Sequence, residues 1–451
     1  MRTLSYYQVT VEHLLSQITC PIRKITTDQI RCYLANYQKR NNCSKVTVDN
    51  IRRNISSFFS WLEEEDYILK SPMRRIHKIK TKQAVKEIIS DEIINNDKFI
   101  NNGSIGSSSD KGTIDNKGTF TNNGSIIAST ITNQTGKEFI NNSGKEITAE
   151  SFINQGSVTN NGTINAESLT NTSSITGNTG SLIISNGGTN SGTISQNIVS
   201  ITGGTLTNNN SITANEFNNS ATISGSGSLT VTTGNNSGNI TQDNVTINGD
   251  YTNTGTITSN NNFTNSGDIS GDGGKLIVNN GSNSGSISQD TLETSGTFEN
   301  TGSIIADITN GGTFTNNGTI GTNQNKAEIT NNGTFTNNNS VIASAITNSE
   351  NKTFTNAGTV VTDTITNNGT LDGNGSITIG GGENSTTGVI SQNNITINGN
   401  FANNGDMTAN NSFSNSADIT GGGNLNINNG NNTGNITPVS YTHLRAHETD
   451  S

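Results

Sequence analysis

Between Ile93 and Thr437 the chain has no arginine, histidine, cysteine, tryptophan or proline. Each absence excludes something. Without histidine or cysteine there is no imidazole base, no thiol nucleophile and no nitrogen–sulfur metal site. Without arginine there is no guanidinium clamp for phosphate. Without proline nothing interrupts a run of β-strands. No apolar stretch approaches the length of a membrane span. The start, MRTLSYY, is already mixed and lacks the apolar core of a signal peptide, so the chain as written is expected in the cytoplasm. The three cysteines, Cys20, Cys32 and Cys43, precede this region. Their spacing is not C-x-x-C and no histidine cluster accompanies them, so reduced, partly buried thiols are expected. No metal site and no cofactor is expected anywhere.

What is present divides sharply. Residues 1–88 hold 16 lysines and arginines against 8 aspartates and glutamates, a net of +8. The remainder holds 9 basic and 27 acidic residues, a net of -18. A compact basic unit suits a polyanion such as DNA, and equally suits an ordinary solvated surface.

The basic part is patterned as helices. Leu4, Tyr7, Val11, Leu14, Leu15 and Ile18 fall at helical spacing. Pro21 interrupts, and Thr26-Thr27-Asp28 offers an N-cap before Ile30, Tyr33, Leu34 and Tyr37. A polar turn leads to a third helix with the stripe Val48, Ile51, Ile55, Phe58, Phe59 and Leu62, with Trp61 beside it. The acidic run Glu63–Asp66 closes that helix, and Pro72 marks the next boundary.

These residues resemble a known family. Ile25–Leu34 (ITTDQIRCYL), Thr47–Asn54 (TVDNIRRN) and Phe58–Ile68 (FFSWLEEEDYI) are similar to successive helices of the core-binding domain of tyrosine recombinases, the phage-type integrases. Ser71-Pro72 followed by Ile76, Lys78 and Lys80 resembles that domain's exit, and Val85–Glu92 (VKEIISDE) resembles the start of the catalytic domain. The resemblance covers about 90 of 451 residues. It implies a small helical domain gripping double-stranded DNA. The family's catalytic Arg, Lys, His and Tyr residues lie in a second domain that this chain lacks, so no catalytic residue carries over and no enzyme activity is expected.

DNA contact is expected from two places. Lys45, Thr47, Asn50, Arg53, Asn54 and Ser57 recur on one side of the third helix, opposite its apolar stripe. Such residues suit phosphates and base edges, and an ordinary solvated face is the alternative. The resemblance adds Arg74, Arg75, Lys78 and Lys80 as a basic linker that follows phosphates, with His77 as a linker residue.

The rest is repetitive. Phe120, Ile126, Ile131, Phe139, Ile147, Phe152, Val158, Ile164 and Leu169 recur every five to eight residues. Each sits in a short alternating stretch, and Asn-Asn-Gly or Asn-Ser-Gly separates the stretches. A longer motif ends in Gln: Asn190–Gln196 (NSGTISQ), Asn236–Gln242 (NSGNITQ), Asn283–Gln289 (NSGSISQ) and Thr386–Gln392 (TTGVISQ). Thr119–Asn133 (TFTNNGSIIASTITN) returns almost unchanged at Thr334–Asn348 (TFTNNNSVIASAITN). Such recurrence predicts a parallel β-helix in which Asn and Thr ladder between coils. Coils of about 20 residues give roughly 17 coils and a rod on the order of 80 Å. Disordered low-complexity sequence is the alternative. The segment is similar to the repeats of bacterial secreted adhesins, which implies a surface glycan or protein as partner. Asp372–Gly375 (DGNG) reads as a turn, because the acidic ligands of a calcium loop are missing.

The expected organisation is therefore multidomain. Residues 1–86 form an all-α DNA-binding domain with its linker, 87–99 a junction, and 100–437 an all-β solenoid. Residues 438–451 look like one reading frame of a transposon-type sequencing adapter. Asn432–Pro438 (NTGNITP) has the Gln-ended pattern with Pro in its last place. An adhesin-type solenoid joined by mis-assembly to a foreign N-terminus near residue 92 is the alternative account of the whole.

Overall fold

A computed structural model describes residues 2–79 and 91–438, apart from the side chains of residues 2–6 and 438. Lys80, most of Val85–Glu92 and the tail 439–451 lie outside the described residues. The chain divides into two compact units.

The first unit has three helices, α1 (Arg2–Gln17), α2 (Thr27–Asn41) and α3 (Lys45–Glu64). Thr26 caps α2 in a reciprocal box: its hydroxyl accepts from the Gln29 amide at 3.3 Å, and the Gln29 side chain accepts from the Thr26 amide at 2.8 Å. Lys39 and Arg40 lie in the last turn, where they suit the helix dipole. Ser44 caps α3 by accepting from the Thr47 amide at 3.2 Å. The apolar stripes meet in one core of Leu14, Ile18, Ile30, Leu34, Ile51, Ile55 and Phe59. Phe58 is only half-buried, and Trp61 faces outward, stacked on Phe58 and against Tyr67. Tyr7, expected in the α1 stripe, is exposed. Of the cysteines, Cys20 and Cys43 are half-buried, whereas Cys32 is exposed.

The second unit is a parallel β-solenoid of about 19 turns. Its first strand, Glu92–Asn95, lies within the expected junction and pairs with Gly112–Asn116. Successive asparagines in one ladder are 16 to 21 residues apart, which is why more turns fit than a uniform coil of about 20 allows. In most strands inward and outward residues alternate, with a break where the coil bends, as at Ser129 and Thr130 in Ser125–Asn133. Each coil therefore needs only a few apolar side chains. Phe298, Phe314, Phe335 and Phe354 stack one above another with ring centroids 4.6–5.2 Å apart, close to the spacing of hydrogen-bonded strands. Phe99, Phe120 and Phe139 form a similar stack in the earlier copy of the TFTN segment.

The asparagines do more than make turns. Asn95, Asn116, Asn133, Asn154, Asn171, Asn190 and Asn208 are buried, and each Nδ2 donates to the next Oδ1 at 2.7–2.9 Å. Most of these amides also reach a backbone carbonyl, as Asn116 does with Glu138 at 2.9 Å. A buried carboxamide is tolerated because its donors and acceptor are both used. Asn here ends the strand with its side chain inward.

The Gln-ended motif has a structural reason. Asn160, Asn208, Asn253 and Asn356 each donate to a glutamine 34 to 36 residues later, which is two coils away. The intervening coil has no asparagine at that place. It has glycine with positive φ: Gly177 at 155°, Gly225 at 118°, Gly271 at 132° and Gly373 at 117°. The longer Gln side chain spans the gap. A Cβ added at Gly180 or Gly274 would strike the carboxamide of Gln196 or Gln289. In the fifth copy the Pro438 backbone pairs with Gly421, as Gln196 pairs with Gly177. There the Asn403 amide donates to the Asn424 carbonyl at 2.8 Å.

Candidate nucleic-acid interface

α3 positions the expected contact residues unevenly. Asn50, Arg53 and Ser57, at i, i+3 and i+7, are exposed together on one face. Lys45 is exposed at the first residue of the helix. Thr47 is half-buried and its hydroxyl is shared with Ser44 at 3.0 Å. Asn54 is a correction: it is 6% exposed, and its Nδ2 donates to Thr10 Oγ1 of α1 at 3.3 Å. It sits at the edge of the polar face, where α1 crosses and covers it. The face also carries two exposed apolar residues that sequence reasoning did not place there, Val46 and Trp61.

The basic segment after α3 is docked onto the helices. Pro72–Arg75 is a 3-10 turn with Met73 buried beneath it. Thr27 Oγ1 donates to the Pro72 carbonyl at 2.7 Å, and Arg31 donates to the Arg75 carbonyl at 3.0 Å. Glu63 accepts from the Ser71 amide at 3.1 Å and pairs with Arg74. The Arg74 guanidinium holds the Glu63 carboxyl below its usual range. Arg74 is thus already engaged by a carboxylate. Arg75, His77 and Lys78 are exposed, and Lys45, Arg75 and Lys78 make no salt bridge among the described residues. Lys80, the last of the expected linker cations, lies outside the described residues.

Sequence reasoning missed the centre of this arrangement. Asp49 is 3% exposed, the one buried Asp, Glu, Lys, Arg or His among the described residues. Its Oδ1 accepts from Arg52 Nε at 2.7 Å and from the Ile79 amide at 3.0 Å, while its Oδ2 accepts from Arg53 Nε at 3.4 Å. Burial alone would push this carboxyl up, but the bonds from Arg52, Ile79 and Arg53 together bring it below the usual range. The only sequence signal was an aspartate followed at i+3 and i+4 by two arginines, a pattern usual on solvated helices.

A separate cavity of about 430 Å³ lies between α1 and α2, lined by His13, Gln17, Tyr33, Tyr37 and Arg40 among others. His13 Nδ1 and the Tyr33 hydroxyl are 2.8 Å apart. Burial, and then the neighbouring Tyr37, push the Tyr33 phenol up to about 12. Among the described residues no three His, Cys, Asp or Glu side chains come together as a metal site requires. No helix among them is long and apolar enough to cross a membrane.

Comparison with known proteins bears on this unit. Residues 1–69 match the family model of the phage integrase N-terminal SAM-like domain. The helical unit is therefore an integrase-type N-terminal domain, followed by a β-solenoid. Neither a curated protein sequence nor a solved structure matches the chain.

Proposed function

We propose that the helical unit binds double-stranded DNA, with Lys45, Asn50, Arg53 and Ser57 of α3 and with Arg75 and Lys78 of the docked segment. The observation that carries this is the match of residues 1–69 to an integrase N-terminal domain. The local charge agrees with it, because this unit is basic while the chain as a whole carries -10. Lys45, Arg53, Arg75 and Lys78 neutralise phosphates, and Asn50 reaches toward a base edge. The acidic solenoid contributes repulsion, so binding is strongest on the side of the helical unit. Fluorescence anisotropy of the full chain with a labelled duplex at low salt tests this. Saturable binding is expected, and a flat titration refutes it.

The same reading includes no strand cleavage. Family chemistry needs a tyrosine nucleophile served by arginine and histidine. Tyr251, in the solenoid, is fully buried, and no Arg or His occurs from Ile93 to Thr437. Tyr441, Arg445 and His447 lie outside the described residues. Incubation with nicked suicide substrates is expected to trap no covalent adduct, and a phosphotyrosine adduct overturns this part. The parallel coils of 92–437 also fit the alternative of a surface adhesin rod. No residue among them singles out a glycan or protein partner.

A further inference from the structure

The Asp49 cluster has a geometry that ordinary helix pairing does not require. Asp49 is buried and carries one negative charge, but two guanidinium groups converge on it. Arg52 is the inner one, with a side chain only 12% exposed and the shorter bond, and it offsets the carboxylate. Arg53 is the outer one, 62% exposed, and its charge is left over. Arg53 is held through Nε, so the outer edge of its guanidinium, between the two Nη groups, faces away from the carboxylate. The third ligand of the carboxylate is the backbone amide of Ile79, next to Lys78. One buried oxygen pair therefore fixes a helix-face guanidinium and the end of the basic segment relative to each other.

We propose that Asp49 is a positioning residue that presents Arg53, together with the basic segment ending at Lys78 and Ile79, as a preorganised binding site for one DNA phosphodiester. A guanidinium held side-on by a carboxylate keeps its outer edge free to take two phosphate oxygens. Holding it in place before the ligand arrives removes part of the ordering cost of binding. This deepens the DNA-binding reading and rests on it.

The test exploits opposite signs. Asp49→Asn removes a negative charge from a basic surface, so simple electrostatics predicts tighter duplex binding. Positioning predicts weaker binding, by about tenfold for the loss of order in long side chains. Anisotropy titrations of the full chain at one fixed salt concentration compare wild type, Asp49→Asn and Arg53→Lys, each with its melting temperature. Arg53→Lys keeps the charge on an exposed side chain but cannot be held through Nε, so it too is expected to bind more weakly with an unchanged melting temperature. It decides the matter if Asp49→Asn fails to fold. Wild-type binding with Asp49→Asn equal or tighter, or with Arg53→Lys unchanged, overturns the positioning role and leaves the DNA-binding reading standing. Absence of wild-type binding overturns both.

Discussion

Gln242 offers a direct test of the two-coil bridge. It is fully buried, accepts from Asn208 Nδ2 at 2.5 Å, and donates to the Thr241 carbonyl at 2.8 Å and more weakly to Gly225 at 3.4 Å. In Gln242→Ala these bonds go, and a gap opens beside Gly225. Asn208 keeps its bond to the Ser228 carbonyl at 3.1 Å, so the amide is not stranded entirely. The two short bonds at about 1 kcal/mol each, with the weak third and a modest cavity adding little, give a local cost of roughly 2–3 kcal/mol. A solenoid need not unfold in one step, so a global melt is the wrong readout. Hydrogen exchange followed by mass spectrometry reports local opening. Amides in Thr205–Asn208 and Asn239–Ile247 should exchange about 30- to 150-fold faster, while distant coils stay unchanged. Gln155, which is exposed, is the control: Gln155→Ala should change nothing measurable. Unchanged exchange near Gln242 refutes the reasoning that the glutamine closes the ladder.

Other expectations follow from single residues. The Tyr251 hydroxyl is buried without a hydrogen-bond partner among the described residues, so Tyr251→Phe should slow local exchange around Tyr251–Asn253, as removal of an unpaired buried group stabilises by about 1–3 kcal/mol. The same burial pushes the Tyr251 phenol up, so after the other tyrosines, the raised Tyr33 included, have ionised, phenolate absorbance should still count one tyrosine fewer until the solenoid unfolds. Phe59 is fully buried in the helical core, and Phe59→Ala should cost about 3–5 kcal/mol, visible in denaturation followed by the fluorescence of Trp61, the single tryptophan. Asp49 has a lowered folded pKa, so its stabilising effect is present above the unfolded value near ~3.9 and is lost as pH falls through the folded value. The helical unit should therefore lose stability on acidification below about pH 4, and Asp49→Asn should remove that part of the slope; equal acid slopes in the two proteins contradict it.

The helices were legible because their periodic stripes and caps are local. The stripe Val48, Ile51, Ile55 and Phe59 and the Thr26 cap appear where spacing and chemistry put them. What local pattern could not reveal was tertiary. Asn54 lies between the polar and apolar faces, and only the crossing of α1 at Thr10 decides that it is buried. Arg74 and Glu63 are 11 residues apart, and their pairing depends on how the segment after α3 folds back. Asp49 became central through Ile79, 30 residues away. In the solenoid, aliphatic spacing disclosed the coils, and the variable coil length concealed their number. The repeated Gln was visible as a motif. Its partner was not, because the bond skips a coil. The missing signal was the glycine that precedes each Gln by 17 to 19 residues, Gly177, Gly225, Gly271 and Gly373.

The salt dependence of duplex binding tests the central claim most directly. Each phosphate neutralised on duplex DNA adds about 0.9 to the slope of log affinity against log salt. Replacing Lys45, Arg53, Arg75 and Lys78 together by glutamine should lower that slope by about 3–4 in the full chain and weaken binding to all sequences alike. An unchanged slope in the fourfold variant, or a wild type that does not bind the duplex even at low salt, contradicts the account.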